Sequence, residues 1–345
     1  MKAKLQLLLR ARSSIFQVAE HVSHAQARGL QWRGVMTAGL ALSMLSPLLT
    51  GAGAVTKASS GANTKQGSGG TSGGQVQVVA AENFWGSIAS QVGGSHVKVI
   101  SIITNPATDP HDYEPKPTDA RLVASARYVI LNGAGYDAWG QKLLNANPVD
   151  GRTVLNIGDL VGKHEGDNPH LWYSPNYVTQ AANQITADLK RLDPADAAYF
   201  DQQNKRFTTV TLKPYHQLLS TIKQKYQGTP VGATESIFAY MADALGLNLV
   251  TPPSFMNAIS EGHEPTAADK ATFDQQVTQK QIKVFVYNRQ NSTPDIDALK
   301  QKAQAADIPI VPVTETLDPA TLTFQAWQGK ELQALQQALA QATGR

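Results

Sequence analysis

β-Branched runs and helix-period stretches alternate along most of the chain. Gln75–Ala81 (QVQVVAA) reads as a strand, Asn83 caps a helical stretch through Val92, and His96–Thr104 (HVKVISIIT) reads as the next strand. Thr118 and Asp119 open a short helix, followed by the apolar strand Tyr128–Leu131 and the turn Asn132-Gly133-Ala134-Gly135. The pattern returns in the second half. Val231–Ala233, Leu247–Val250, Val284–Tyr287 and Ile308–Val313 are predicted strands, separated by predicted helices at Ser236–Leu245, Ala267–Gln279 and Asp295–Ala306. Thr293-Pro294 gives the last helix an N-cap and a proline at its first position. Such alternation predicts an α/β fold of two lobes, each a mostly parallel sheet flanked by helices. Between them, Asp193–Tyr226 reads as one long rigid helix, with Pro214 expected to kink it.

The N-terminal region is of another character. Gly34–Leu49 is an apolar run preceded by Arg28 and Arg33, and it ends in Ala52-Gly53-Ala54, the small-residue pattern of a signal-peptidase site. Residues 1–54 therefore read as a signal peptide cleaved after Ala54, with an uncleaved N-terminal anchor as the alternative. The run is shorter than the ~20 apolar residues of a typical membrane span. Residues 55–74, rich in Gly, Ser, Thr and Ala, read as a flexible linker. The predicted organisation continues with a lobe at 75–192, the connecting helix at 193–227 and a second lobe at 228–345.

Composition narrows the chemistry. The 345 residues include no cysteine, which excludes disulfides, thiolate nucleophiles and cysteine-ligated metals, and also lipid attachment at a mature N-terminal cysteine. The net charge of +3 is misleading. Residues 1–74 hold eight Lys/Arg against Glu20 alone, so the remainder carries −4. A phosphate-binding surface belongs on the folded body, and no nucleic-acid partner is expected.

Of the eight histidines, His21 and His24 fall in the leader, while His96 and His216 read as structural. His111 and His170 differ. Each lies in a proline-flanked loop, Asp109-Pro110-His111-Asp112-Tyr113-Glu114-Pro115 and Asn168-Pro169-His170, near the end of an α/β element. Ligands of open α/β sheets collect at such strand ends, and neutral imidazole is a common metal ligand.

These loops, the opening strand, Asn132-Gly133-Ala134-Gly135 and the late Ile308-Pro309-Ile310 strand occur in an order that resembles the periplasmic metal-binding proteins of zinc and manganese ABC importers. The likeness runs from about residue 76 to the C-terminus; its motifs are short, and their ordered spacing is the specific part. The resemblance implies a metal buried between two lobes, with His111 and His170 as the first two ligands. The family's third ligand, His or Glu after the first strand of the second lobe, falls on Glu235, whose carboxylate also suits the positive end of the following helix. The fourth is usually Asp; here Val313-Thr314-Glu315-Thr316-Leu317 offers Glu315, with Asp318 in reserve.

Weaker candidates are Asp137 and Trp139, read as supporting the lobe, and His164-Glu165-Gly166-Asp167, read as a solvated turn. Glu261, His263 and Glu264 read as surface. The resemblance implies a monomeric, non-enzymatic periplasmic protein that captures Mn²⁺ or Zn²⁺ for a membrane permease and its ATPase subunit. No P-loop occurs in this chain. Two carboxylates beside two imidazoles favour manganese over zinc, because carboxylates can raise the coordination number. The competing functions are a secreted metal-dependent hydrolase and a surface adhesin. No H-E-x-x-H motif supports the hydrolase.

Overall fold

The computed structural model describes residues 74–345, Asp112 excepted. The expected leader at 1–54, its cleavage point, His21, His24 and all of the 55–74 linker but Gly74 lie outside the described residues.

Two four-stranded sheets form the body, and every strand pairing is parallel. The first holds β1 (Val76–Glu82), β2 (Val97–Ile103), β3 (Tyr128–Leu131) and β4 (Thr153–Asn156) in the order β2-β1-β3-β4. The second holds β5 (Pro230–Ala233), β6 (Asn248–Leu249), β7 (Val284–Asn288) and β8 (Ile310–Val313) in the order β6-β5-β7-β8. In each sheet the chain moves outward from the first strand and then crosses back. The strand order thus reverses between β1 and β3, and again between β5 and β7, leaving a crevice at their carboxyl ends.

Side-chain alternation explains how the sheets are covered. Val78 and Ala80 of β1, Tyr128 and Ile130 of β3, and Val284 and Val286 of β7 all join one hydrophobic core that runs through both lobes. Their neighbours Val79, Ala81, Val129 and Leu131 face a separate outer core, and Phe285 faces another. Aromatic rings fill the shared core. Phe84 stacks on Trp172 at 4.1 Å between centroids and lies 6.5 Å from Trp327. The C-terminal helix Phe324–Thr343 packs against the long helix Lys213–Tyr226 and reaches the first lobe, where the Phe324 N–H donates to Ser87 Oγ at 3.0 Å.

The connector is bent rather than straight. After a short turn at Pro194–Asp196, an α-helix runs over Ala197–Arg206, a π-turn over Phe207–Thr211, and a second α-helix over Lys213–Tyr226. Pro214 has no N–H, and its ring crowds the carbonyl four residues back, so the backbone widens just before it. The Leu212 N–H bonds to the Phe207 carbonyl at 2.9 Å, a five-residue step that takes up the extra residue. Among the described residues, no helix is long and apolar enough to cross a membrane.

Candidate metal centre

All four expected ligands sit beyond the carboxyl ends of strands. His111 lies in the loop after β2, where its N–H donates to Asp109 Oδ1 at 2.9 Å and shapes a tight turn. His170 enters the short helical turn Leu171–Tyr173, and Ser174 caps the following helix Pro175–Leu192 by accepting the Tyr177 N–H. Glu235 follows β5 and Glu315 follows β8.

His111, His170 and Glu315 each bring a ligand atom within 4.8 Å of the others. Glu235 falls outside that trio and is joined to it through Asn288, whose Nδ2 donates to Glu235 Oε2 at 3.0 Å and Glu315 Oε1 at 2.7 Å. Glu235 makes no side-chain cap to the turn Ser236–Phe238, so helix capping does not account for its position. Asp318, the reserve candidate, is engaged in an ion pair with Arg289.

Hydrogen bonding fixes the His170 tautomer. Asn168 Nδ2 donates to the Ser236 carbonyl at 2.7 Å, which turns Asn168 Oδ1 towards His170 Nδ1 at 2.8 Å. Nδ1 therefore carries the proton and Nε2 the lone pair. That Nε2 is buried without a hydrogen-bond partner, and so is Glu235 Oε1. Buried polar atoms are usually satisfied, and a lone pair on each of these two, close to the trio, is what a cation there would use.

Electrostatics agree with that reading. Burial, and then the neighbouring His111, push the His170 imidazole well below its ordinary pKa, so it stays neutral. Burial, followed by the charge of Glu315, pushes the Glu235 carboxyl well above its ordinary range. Burial also raises Glu315, against the opposing pull of His111 and the Tyr136 hydroxyl. A divalent cation would let both carboxylates ionise and would use the lone pairs that the protein leaves unpaired.

Two residues that sequence reasoning did not single out complete the surroundings. Tyr136 donates to Glu315 Oε2 at 2.8 Å, and its ring meets His111 edge-on at 4.6 Å. Asn288 closes β7 and links the two carboxylates. Neither carries a sequence signal, since each acts through a partner in a distant segment.

The remaining candidates lie where their chemistry placed them. Asp137 is buried and accepts the N–H groups of Asn132 and Gly133 at 2.7 and 2.8 Å, holding the glycine turn. Trp139 packs edge-on against Tyr113. The His164 N–H bonds to Asp167 in an exposed turn. Glu261, His263 and Glu264 form surface ion pairs. His96 pairs with Asp196 at 2.6 Å at the far end of β2, and exposed His216 lies in the helix Lys213–Tyr226.

The family described as zinc-uptake complex component A, periplasmic, matches residues 78–338. The manganese ABC transporter substrate-binding lipoprotein PsaA of Streptococcus pneumoniae is 26% identical over 259 residues, spanning 70% of this chain and 80% of that protein. The high-affinity zinc uptake system protein ZnuA of Bacillus subtilis is 22% identical over 224 residues, spanning 60% of this chain and 69% of its own. Among solved structures, a metal-free mutant of a periplasmic metal-binding protein from Candidatus Liberibacter asiaticus superposes with a TM-score of 0.65 at 16% identity, covering 77% of this chain and 100% of that one. The binding protein FpvC of Pseudomonas aeruginosa, in complex with Mn²⁺, gives 0.63 at 18% identity, covering 78% and 99%.

Proposed function

Because the chain belongs to the periplasmic zinc-uptake complex component A family, we propose that it captures a divalent transition metal, Mn²⁺ or Zn²⁺, outside the cytoplasmic membrane and delivers it to an ABC permease driven by a separate ATPase subunit. The observation that carries this reading is the convergence of His111, His170 and Glu315, with His170 Nε2 and Glu235 Oε1 buried and unpartnered beside them. The proposed ligands are these four residues, two imidazoles from the first lobe and two carboxylates from the second. Glu235 joins when an ion draws its free oxygen inward.

A binding role fits better than hydrolysis. Catalytic sites keep a coordination position open beside a general base. Here His170, Glu235 and Glu315 are buried, and Asn288 and Tyr136 occupy the flanks of the carboxylates. The apolar run at 34–49 and the absence of cysteine support an exported periplasmic protein without a lipid anchor. Intact-mass analysis of the exported protein, expected to begin at Val55, checks that part.

Calorimetric titration of the metal-free protein with Mn²⁺ or Zn²⁺ tests the function. One ion per chain is expected, with thermal stability increased by about 2.7 kcal/mol when free metal is roughly 100 times its dissociation constant. Undiminished affinity in both His170→Ala and Glu315→Ala would sink the proposed site. Deleting the gene and measuring cellular Mn and Zn under limitation of each then tests transport.

A further inference from the structure

The carboxylate of Glu315 is held at both ends. Oε1 accepts from Asn288 Nδ2 at 2.7 Å, and Oε2 accepts from the Tyr136 hydroxyl at 2.8 Å. The two donors come from opposite lobes, Tyr136 from the loop after β3 and Asn288 from the end of β7. Neither can readily move aside. Tyr136 is 1% exposed and wedged between the His111 ring at 4.6 Å and the Trp172 ring at 4.9 Å. Asn288 is fully buried, and its Oδ1 accepts the Gln290 N–H at 2.9 Å, which fixes the direction of the amide. The same Nδ2 also occupies Glu235 Oε2, leaving Oε1 as that residue's free oxygen.

Ions that differ in preferred coordination number respond differently to such a clamp. A carboxylate that chelates must turn the edge joining its two oxygens towards the ion, which requires rotation or tilt. With a donor on each oxygen, rotation or tilt of Glu315 works against the bonds from Tyr136 and Asn288. Mn²⁺ gains from bidentate carboxylates and higher coordination, whereas Zn²⁺ is satisfied by four ligands in a tetrahedron.

Resting on the metal-capture reading above, we propose that Tyr136 and Asn288 are specificity-determining residues: they hold both carboxylates to one oxygen each and tilt the site towards a four-coordinate ion such as Zn²⁺ over Mn²⁺. Tyr136 acts through Glu315, and Asn288 through Glu315 and Glu235. This reverses the preference for manganese drawn from ligand type alone, because the surroundings of a carboxylate limit how it can bind.

The test compares Mn²⁺, Zn²⁺ and Co²⁺ titrations of the wild-type protein, Tyr136→Phe and Asn288→Ala. In Tyr136→Phe the ratio of Mn²⁺ to Zn²⁺ dissociation constants should fall about tenfold, within the usual range for residues that contact metal ligands. Asn288→Ala should shift the ratio in the same direction, and it serves as the second measurement if the first variant folds poorly. Bound Co²⁺ should show intense visible bands of four-coordination in the wild type and weaker ones in Tyr136→Phe, a change that general loosening of the fold would not produce. Equal weakening of Mn²⁺ and Zn²⁺ in the variants, or weak Co²⁺ bands in the wild type, would overturn the proposal. If the wild type binds metal, His170→Ala abolishes binding and the variants leave the ratio unchanged, selectivity alone fails. If the wild type binds none of the three ions, metal capture fails with it.

Discussion

The two lobes share one strand order but present their proposed ligands by different means. In the second lobe Glu235 and Glu315 each lie two residues past a strand end, at Ala233 and Val313, so the sheet itself aims the carboxylates. In the first lobe His111 lies eight residues past the end of β2, and His170 is separated from β4 by the helix Ile157–Val161 and a further turn. The imidazoles depend on Asx turns at Asp109 and Asn168. His170 is buried and tied to Asn168 and Ser236, while His111 is exposed. One half of the site is therefore aimed by strands, and in the other half a loop-borne but fastened His170 sits beside an exposed His111.

The largest test of this contrast is removal of a proposed ligand that the fold holds in place. His170→Ala, Glu235→Ala and Glu315→Ala should each weaken metal binding by more than about a hundredfold, beyond the range typical of outer-shell changes. Glu315→Asp, which draws the carboxylate away from both Tyr136 and Asn288, should cost about ten- to a hundredfold. Lengthening the 104–108 segment by one glycine should cost less than about tenfold, because that loop can absorb it. Calorimetric titration orders these effects. A loop insertion as damaging as Glu315→Asp would remove the distinction between the lobes.

An intermediate effect concerns pH. Glu235 has an ordinary carboxyl pKa near 4.5, raised on folding by burial first and by Glu315 second. Between the unfolded and folded values the native state binds more protons, so this residue's contribution to metal-free stability falls as pH rises above about 4.5. His170 acts oppositely. Its folded pKa lies well below 6.5, so its contribution is present above that value and lost as pH falls. Chelator-treated Glu235→Gln should therefore lose a downward slope of up to ~1.4 kcal/mol per pH unit. Denaturant unfolding between pH 5 and 8, in roughly unit steps, measures the difference. An ion taken by Glu235 as proposed would displace its proton, so affinity should rise with pH above about 4.5. An unchanged stability slope in Glu235→Gln would show that the carboxyl is not held neutral.

The smallest effects mark the limits of the site. His96 and Asp196 are both about one-third exposed, and His96→Ala should cost no more than ~1 kcal/mol by thermal unfolding. His216→Ala should leave metal affinity unchanged in the same calorimetric titration.

Much of the scaffold was legible because parallel strands buried on both faces are written as apolar, β-branched runs. β1, β3, β5, β7 and β8 stand within a residue or two of their predicted bounds. The edge strand β4 carries a weak signal: it is four residues long, and its only apolar pair is exposed Val154 and buried Leu155. The Gln- and Ala-rich helix Phe324–Thr343 also went unread, although Leu332, Leu335 and Leu339 repeat at helical spacing and are buried. Within the site, His111 and His170 stand in proline-flanked loops and Glu315 just past β8, each with ligand chemistry in its own side chain. Tyr136 and Asn288 are ordinary residues in the linear chain. They gain a role only where the two lobes meet, a juxtaposition no local pattern encodes.

The apolar core that runs through both sheets has a consequence for cooperativity. Separating the lobes would expose Phe84, Trp172 and Trp327 to water together, each with some 150–250 Å² of surface. Neither lobe retains its inner face without the other, so the body should melt in a single calorimetric transition and resist cleavage into a stable half. Partial unfolding is then confined to what lies outside the shared core, which includes the exposed loop bearing His111.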